Sequence, residues 1–287
     1  MNMRAKLQII TAMALFGTLS VFIRNIPLPS SVVALCRAWM ALVALLAVQS
    51  ARGRLPDPRT MGRELILLCL SGAAMGFNWI FLFEAYKYTT VSVATLSYYF
   101  APVLVTLACP LLFHERLTLK QIVCFIGSTV GLVLVINVGG LTSGGDHLRG
   151  VAFGLTAAAL YATVVLMNKR ITRASGLDRT VLQFAAAALV LTPYVLLTDG
   201  LPFGNMTGLG WACLLCVGLV HTTLAYVLYF SSLRTLPGQE AAILSYIDPL
   251  VAVVISLTIL KEPVTAAQLV GGGMILVFTL INEIENG

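Results

Sequence analysis

Four polar side chains stand alone in otherwise apolar stretches: Arg37 in LCRAWMALVALL, Asn78 in GFNWIFLF, His221 in GLVHTTLAY and Asp248 in LSYIDP. A charged carboxylate near the middle of a membrane costs roughly 2.5–3.5 kcal/mol on insertion scales. Asp248 must therefore be paired, protonated or hydrated. It can attract a substrate amine, take up and release a proton, or act as a hydrogen-bonded acid that joins two helices. His221 faces a similar choice between a ligand or proton site that titrates near neutrality and a simple hydrogen bond between helices. Arg37 lies about seven residues into its run, roughly 10 Å at 1.5 Å per residue, too deep to be interfacial. It suits a substrate carboxylate, or a structural ion pair with Glu84. Trp79, Tyr98, Tyr99, Tyr226 and Tyr246 combine apolar faces with polar tips. Aromatic walls with few charges suit an organic solute better than a bare ion, and protonated amines could use the rings through cation–π contacts.

Other chemistries lack their parts. HERLT, at 114–118, opens like a zinc-protease helix, but Thr118 stands where the second histidine would be. Cys213-x-x-Cys216 has redox or metal spacing, yet on an apolar helix without further ligands it reads as packing. The sequence contains no Gly-x-Ser-x-Gly elbow and no Walker A run, and its single central aspartate cannot form an aspartyl dyad. No metal or cofactor is expected. A scaffold or receptor would need long loops or a soluble domain, and the connections are short.

The elements that carry these residues follow from composition. Of 287 residues, 59% are hydrophobic and 10% charged, with a mean hydropathy of +0.93. Soluble domains carry about 25% charged residues, so this is a membrane protein. Ten apolar runs are near the ~20 residues that cross a bilayer core: roughly 6–26, 30–49, 64–86, 91–113, 120–138, 150–168, 180–198, 208–230, 238–260 and 265–282. Runs this long without alternation must be helices, because lipid offers no partner to an unpaired backbone group. The first run is too long for a signal-peptide core and is expected to be retained.

The net charge of +6 does not point to nucleic acid, because the basic residues are spread over connections. With the N-terminus in the cytoplasm, Arg4, Lys6, Arg52, Arg54, Arg59, Arg63, Arg116, Lys120, Lys169, Arg170, Arg173, Arg179 and Arg234 fall inside. Only Arg24, Lys87, Arg149 and Lys261 fall outside. That asymmetry places both termini in the cytoplasm of a plasma (inner) membrane protein. The six cysteines all lie in apolar runs and imply no disulfide framework.

Sliding the chain on itself by 147 residues puts Phe83 on Phe230, Lys87 on Arg234, Ala94 on Ala241 and Tyr99 on Tyr246. Pro102 then falls on Pro249, Glu115 on Glu262, Thr118 on Thr265 and Gln121 on Gln268. Each copy holds five runs, and an odd number inverts the second copy, an arrangement that supports alternating access with the site at the repeat interface. The repeats are expected at 1–139 and 140–287, with Gly139–Asp146 a flexible polar linker. Packed symmetrically, His221 would face the region of Asn78. Pro102 and Pro249 each remove a backbone donor near mid-membrane, so kinks are expected there beside a hydrated cavity. The glycine pairs Gly72/Gly76, Gly127/Gly131 and Gly150/Gly154 read as close helix crossings.

Two runs, GFNWIFLFEAYKYTTVSVATLSYYFAPVLVTLACPLLFHERLTLKQIVCFIGSTVGLVLV and TTLAYVLYFSSLRTLPGQEAAILSYIDPLVAVVISLTILKEPVTAAQLVGGGMILV, resemble the two EamA domains of the drug/metabolite transporter superfamily. Arg37 matches an arginine these proteins often carry in their second helix. The first copy departs from the pattern with Ala101 before its proline, and the second has Asp248 rather than glutamate. The resemblance implies an all-α membrane protein of ten transmembrane helices in two inverted repeats. It implies a secondary exporter or exchanger of amino acids or other small organic metabolites, without ATP hydrolysis. Multidrug or amine efflux by proton antiport is the alternative. The expected partners are a small-molecule solute, the bilayer and protons.

Overall fold

The computed structural model describes residues 3–51, 53, 56, 58–113, 118–143, 145–174, 176–233, 235–236 and 244–284. Of the residues singled out above, Arg52, Arg54, Glu115, Arg116, Arg234 and Ala241 lie outside that set. Every regular element among the described residues is helical: α1 (Met3–Ile23), α2 (Ser30–Ala51), α3 (Glu64–Tyr88), α4 (Val91–Tyr98), α5 (Ala101–Phe113) and α6 (Leu119–Ser143). There follow α7 (Gly145–Arg170), α8 (Gly176–Thr198), α9 (Gly208–Gly218), a π-helical turn at Leu219–Leu224, α10 (Ala225–Leu233), α11 (Ile247–Thr258) and α12 (Ala266–Ile284). Among the described residues seven stretches are long and apolar enough to cross a membrane, and Leu119–Val135, Ile247–Thr258 and Ala266–Ile281 form shorter apolar helices.

The helix starts follow side-chain chemistry. Thr90 caps α4 by accepting from the Val93 amide at 3.3 Å, and Thr207 caps α9 by accepting from Gly210 at 3.0 Å. Thr118 and Gln121 form a reciprocal capping box before α6, the two amide bonds measuring 2.8 and 3.2 Å. Thr265 and Gln268 repeat it before α12 at 2.9 and 3.2 Å. These are the same pairs that the 147-residue offset superposes, so this part of the internal match has a physical reason: both ends satisfy amides that the helix leaves unpaired.

Lipid is as apolar as leucine, so helices here associate through close packing rather than hydrophobic exclusion. α3 packs against α7 and α8, α2 against α8, α1 against α10 and α11, α4 against α7 and α11, and α6 against α12. Glycines sit at several of these crossings. A Cβ at Gly131 would lie 2.6 Å from the Gly271 carbonyl. Gly127 faces Phe278, Gly72 and Gly76 face α8, and Gly150 and Gly154 face Thr89, Ala94 and Ser97 around α4.

Two expectations change. The described residues of Gly139–Asp146 are helical rather than a flexible linker: α6 continues to Ser143 and α7 begins at Gly145. Extending an existing helix needs no new nucleation, which offsets part of a glycine cost of about 1 kcal/mol per residue. The proline sites are breaks rather than simple kinks. α4 stops at Tyr98 and α5 starts at Ala101, while α11 starts at Ile247 with Pro249 in its first turn. A proline is well tolerated at a helix start, where its missing donor would be unpaired anyway.

Candidate functional site

The two breaks meet. Tyr99, in the turn between α4 and α5, donates its hydroxyl to Asp248 Oδ2 at 2.7 Å. Gly17 makes room for this approach: a Cβ there would lie 2.6 Å from the Asp248 carbonyl. The acid thus sits in the first turn of α11, held between α1 and the end of α4, and is half-buried. A carboxylate in the first turn of a helix is also favoured by the helix dipole.

Arg37 is buried on α2, 3% exposed. Its Nε donates to Thr222 Oγ1 at 2.7 Å, and its guanidinium stacks on Trp79 at 4.5 Å, with Phe83 at 5.8 Å. The expected pairing with Glu84 is not formed. Glu84 accepts from Lys87 at 2.8 Å instead, one turn along the same helix, where neither group must leave the membrane edge. Among the described residues no carboxylate lies within ion-pair distance of Arg37. Its charge is met by one hydroxyl and two aromatic faces, a weak substitute for an anion.

The π-helical turn explains how Thr222 reaches Arg37. There the carbonyls are taken by side chains five residues on: Thr222 donates to Val217 O at 2.7 Å, Thr223 to Gly218 O at 3.0 Å, and His221 Nδ1 to Cys216 O at 3.3 Å. Such turns occur often at functional sites. His221, 1% exposed, places Nε2 3.1 Å from Thr18 Oγ1, and its ring lies 4.5 Å from that of Phe22. It does not face Asn78, which donates to the Ala157 carbonyl of α7 at 2.6 Å. The reason is the packing order. α3 lies on α7 while the π-turn and α10 lie on α1, so each polar residue meets a different partner helix. No hydrogen bond joins His221 to Asp248, the other candidate proton residue.

Aromatic rings connect the parts. Trp79 meets Phe184 edge-on at 5.3 Å; Phe184 meets Tyr226 at 5.3 Å, and Tyr226 meets Phe16 at 5.5 Å. On the other side Tyr98 contacts Tyr99 at 6.1 Å and Tyr161 at 5.5 Å. The hydroxyls of Tyr86 and Tyr98 lie within electrostatic reach of both the Arg37 guanidinium and the Asp248 carboxyl. Tyr246 is buried at the second break. Arg37, Trp79, Tyr98, Tyr99, Tyr226 and Asp248 therefore share one region, whereas Asn78 and His221 serve neighbouring helix contacts. Thr18, Tyr86, Tyr161 and Thr222 escaped the sequence reading. Hydroxyl residues are ordinary in membrane helices, and only their partners distinguish these.

Several long apolar helices around a buried, unneutralised arginine, a carboxylate and a layer of tyrosines define a multi-pass membrane protein with a polar centre. Comparison with known proteins makes that class specific. The model of the EamA-like transporter family matches residues 3–137 and again 148–283, and the chain belongs to that family, within the drug/metabolite transporter superfamily. It is a membrane transporter and not an enzyme. It is 28% identical to the uncharacterized transporter YxxF of Bacillus subtilis over 88% of this chain and 80% of that one. It is also 28% identical to an uncharacterized transporter of Archaeoglobus fulgidus, over 95% and 94% of the two chains. Protein PecM of Dickeya dadantii is 26% identical over 77% and 73%. A solved crystal structure shares the fold, with a TM-score of 0.68 over 96% of each chain at 18% identity.

Proposed function

We propose that this transporter moves amino acids or other small organic metabolites out of the cell, or exchanges them, by alternating access without ATP hydrolysis. The observation that carries this reading is that a buried guanidinium and a carboxyl border one cluster of tyrosines without bonding each other. Arg37 lacks a carboxylate partner among the described residues, and Asp248 is bonded to a single phenol. A solute with a carboxylate and an amine would satisfy both. Apolar and aromatic walls would take its carbon skeleton.

The mechanism is read as two inverted five-helix units, 1–139 and 140–287, ten crossings in all, rocking about the breaks at Pro102 and Pro249. Matched packing supports this. α3 lies on α7 and α8, and in the other half the π-turn with α9 and α10 lies on α1 and α2, while α6 pairs with α12. The Lys/Arg asymmetry supports both termini in the cytoplasm of the inner membrane. Asp248 and His221 are the candidate proton sites.

Purified protein in liposomes should release labelled amino acids down their gradient, and the response to an imposed pH gradient reports proton coupling. If no member of a panel of amino acids and small metabolites moves faster than in protein-free liposomes, the reading fails. Amine efflux by proton antiport is the second reading. Asp248 amid tyrosines favours it, and Arg37 opposes a cargo that carries only positive charge. Flux of a quaternary amine beside a zwitterion separates the two.

A further inference from the structure

At the end of the bundle where α1 and α3 stop and α2 and α4 begin, one carboxylate ties three elements together. Glu262, in the connection from α11 to α12, accepts Arg24 Nη2 on Oε1 at 2.5 Å. Its Oε2 accepts the amide of Val91, the first residue of α4, at 2.8 Å, and also the hydroxyl of Ser256. The same Arg24 nitrogen reaches the Tyr86 carbonyl near the end of α3 at 3.4 Å. The Glu262 side chain is only 8% exposed. It is presented by Lys261, whose φ of 52° is unusual for a residue with a side chain and persists only where the surroundings hold it.

From this geometry we infer that Glu262 is the bolt of a gate, and that the structure represents the state in which this end is shut. Val91 opens the helix that carries Tyr98 and leads into the Tyr99 turn, and Tyr99 holds Asp248, so the bolt is seated on an element that holds the central site. Separating α11 and α12 from the α3–α4 corner requires breaking the Arg24 and Val91 bonds together, whereas the Ser256 bond travels with Glu262. The Arg24 ion pair and the amide bond are both charge-assisted, which makes them stronger than neutral ones, although only the Glu262 end of the ion pair is shielded from water. Under the transport reading, on which this inference rests, the gate faces the outside.

A reporter cysteine at Ser92, which is 1% exposed, tests this in full-length protein with the native cysteines replaced by alanine. A membrane-impermeant sulfonated maleimide is applied in turn to spheroplasts and to inverted vesicles, so that a reversed orientation moves the signal instead of removing it. S92C alone should label slowly. E262Q should label roughly tenfold faster or more, because it loses charge-assisted bonds to both Arg24 and Val91. R24Q should label less fast, since the Val91 bond survives, and R24K should stay near the parent. Should E262Q fail to fold, R24Q carries the test, its side chain being 33% exposed in the parent. Unchanged labelling in the folded variants overturns the gate, as does an effect of R24Q larger than that of E262Q. The labelling needs no solute, so a failure to find transported cargo would sink the functional reading and leave this result standing.

Discussion

The two proline breaks occupy matching places in the repeat and do different work. At the first, Ala101 precedes the proline and is 1% exposed, and the neighbouring Tyr99 turns its hydroxyl across to the other half. At the second, Asp248 precedes the proline, is half-buried and receives that hydroxyl. One copy supplies the acid and the other supplies its donor. A duplicated scaffold has thus kept its geometry while dividing its chemistry, and of the two breaks only the second offers a carboxyl to a solute or proton.

The comparison can be broken most severely by making the first break resemble the second. Ala101→Asp buries a carboxylate in a closed site, at a cost of several kcal/mol. We expect loss of folded protein, read as a collapsed monodisperse peak and melting temperature. An Ala101→Asp protein as stable as the parent would mean that the two breaks are interchangeable. The converse change, Asp248→Asn, should preserve melting temperature within a few degrees and lower liposome flux by about a hundredfold, the order expected when a charge essential to binding or coupling is removed. Retained flux and retained pH response would remove Asp248 from both of its proposed roles.

Tyr99→Phe comes next. It removes a hydrogen bond to a charged group, about 1.5–3 kcal/mol, and should reduce flux roughly tenfold while leaving the break in place. The smallest effect belongs to Thr106. It donates to the Pro102 carbonyl at 3.0 Å, whereas the 147-residue offset puts Val253 at the matching position in the second half. Thr106→Val should cost about 1 kcal/mol or less in thermal stability and leave flux unchanged. A larger loss would show that the first break depends on this hydroxyl in a way the second does not.

Much of the architecture was legible before any coordinates, because its causes are compositional. An apolar run of bilayer length has few alternatives, and an offset that superposes Thr118–Gln121 on Thr265–Gln268 reflects a local hydrogen-bonding pattern that any copy of the helix must satisfy. Charged residues in such runs announce themselves, which is why Arg37 and Asp248 were found. Their partners were not. Pairing Arg37 with Glu84 was the obvious guess from charge alone, but it ignored that Glu84 had Lys87 one turn away and that Trp79 could face the guanidinium. The helix through Gly139–Ser143 was missed because polar, glycine-rich composition describes isolated chain, not chain appended to a formed helix. Glu262 was noticed only as the mate of Glu115, because a residue in a short connection reveals its role through what converges on it.

The π-turn at Leu219–Leu224 has a further implication. Such a turn is an α-helix with one residue spliced in, and the insertion rotates everything after it by about 100°. Excising a single position from that stretch would leave composition and hydropathy almost unchanged, yet swing Tyr226 away from the Phe16 and Phe184 rings it now meets on other helices. Relatives that differ there by one residue would present different walls to the same solute, so cargo preference in this scaffold can change by register as well as by substitution.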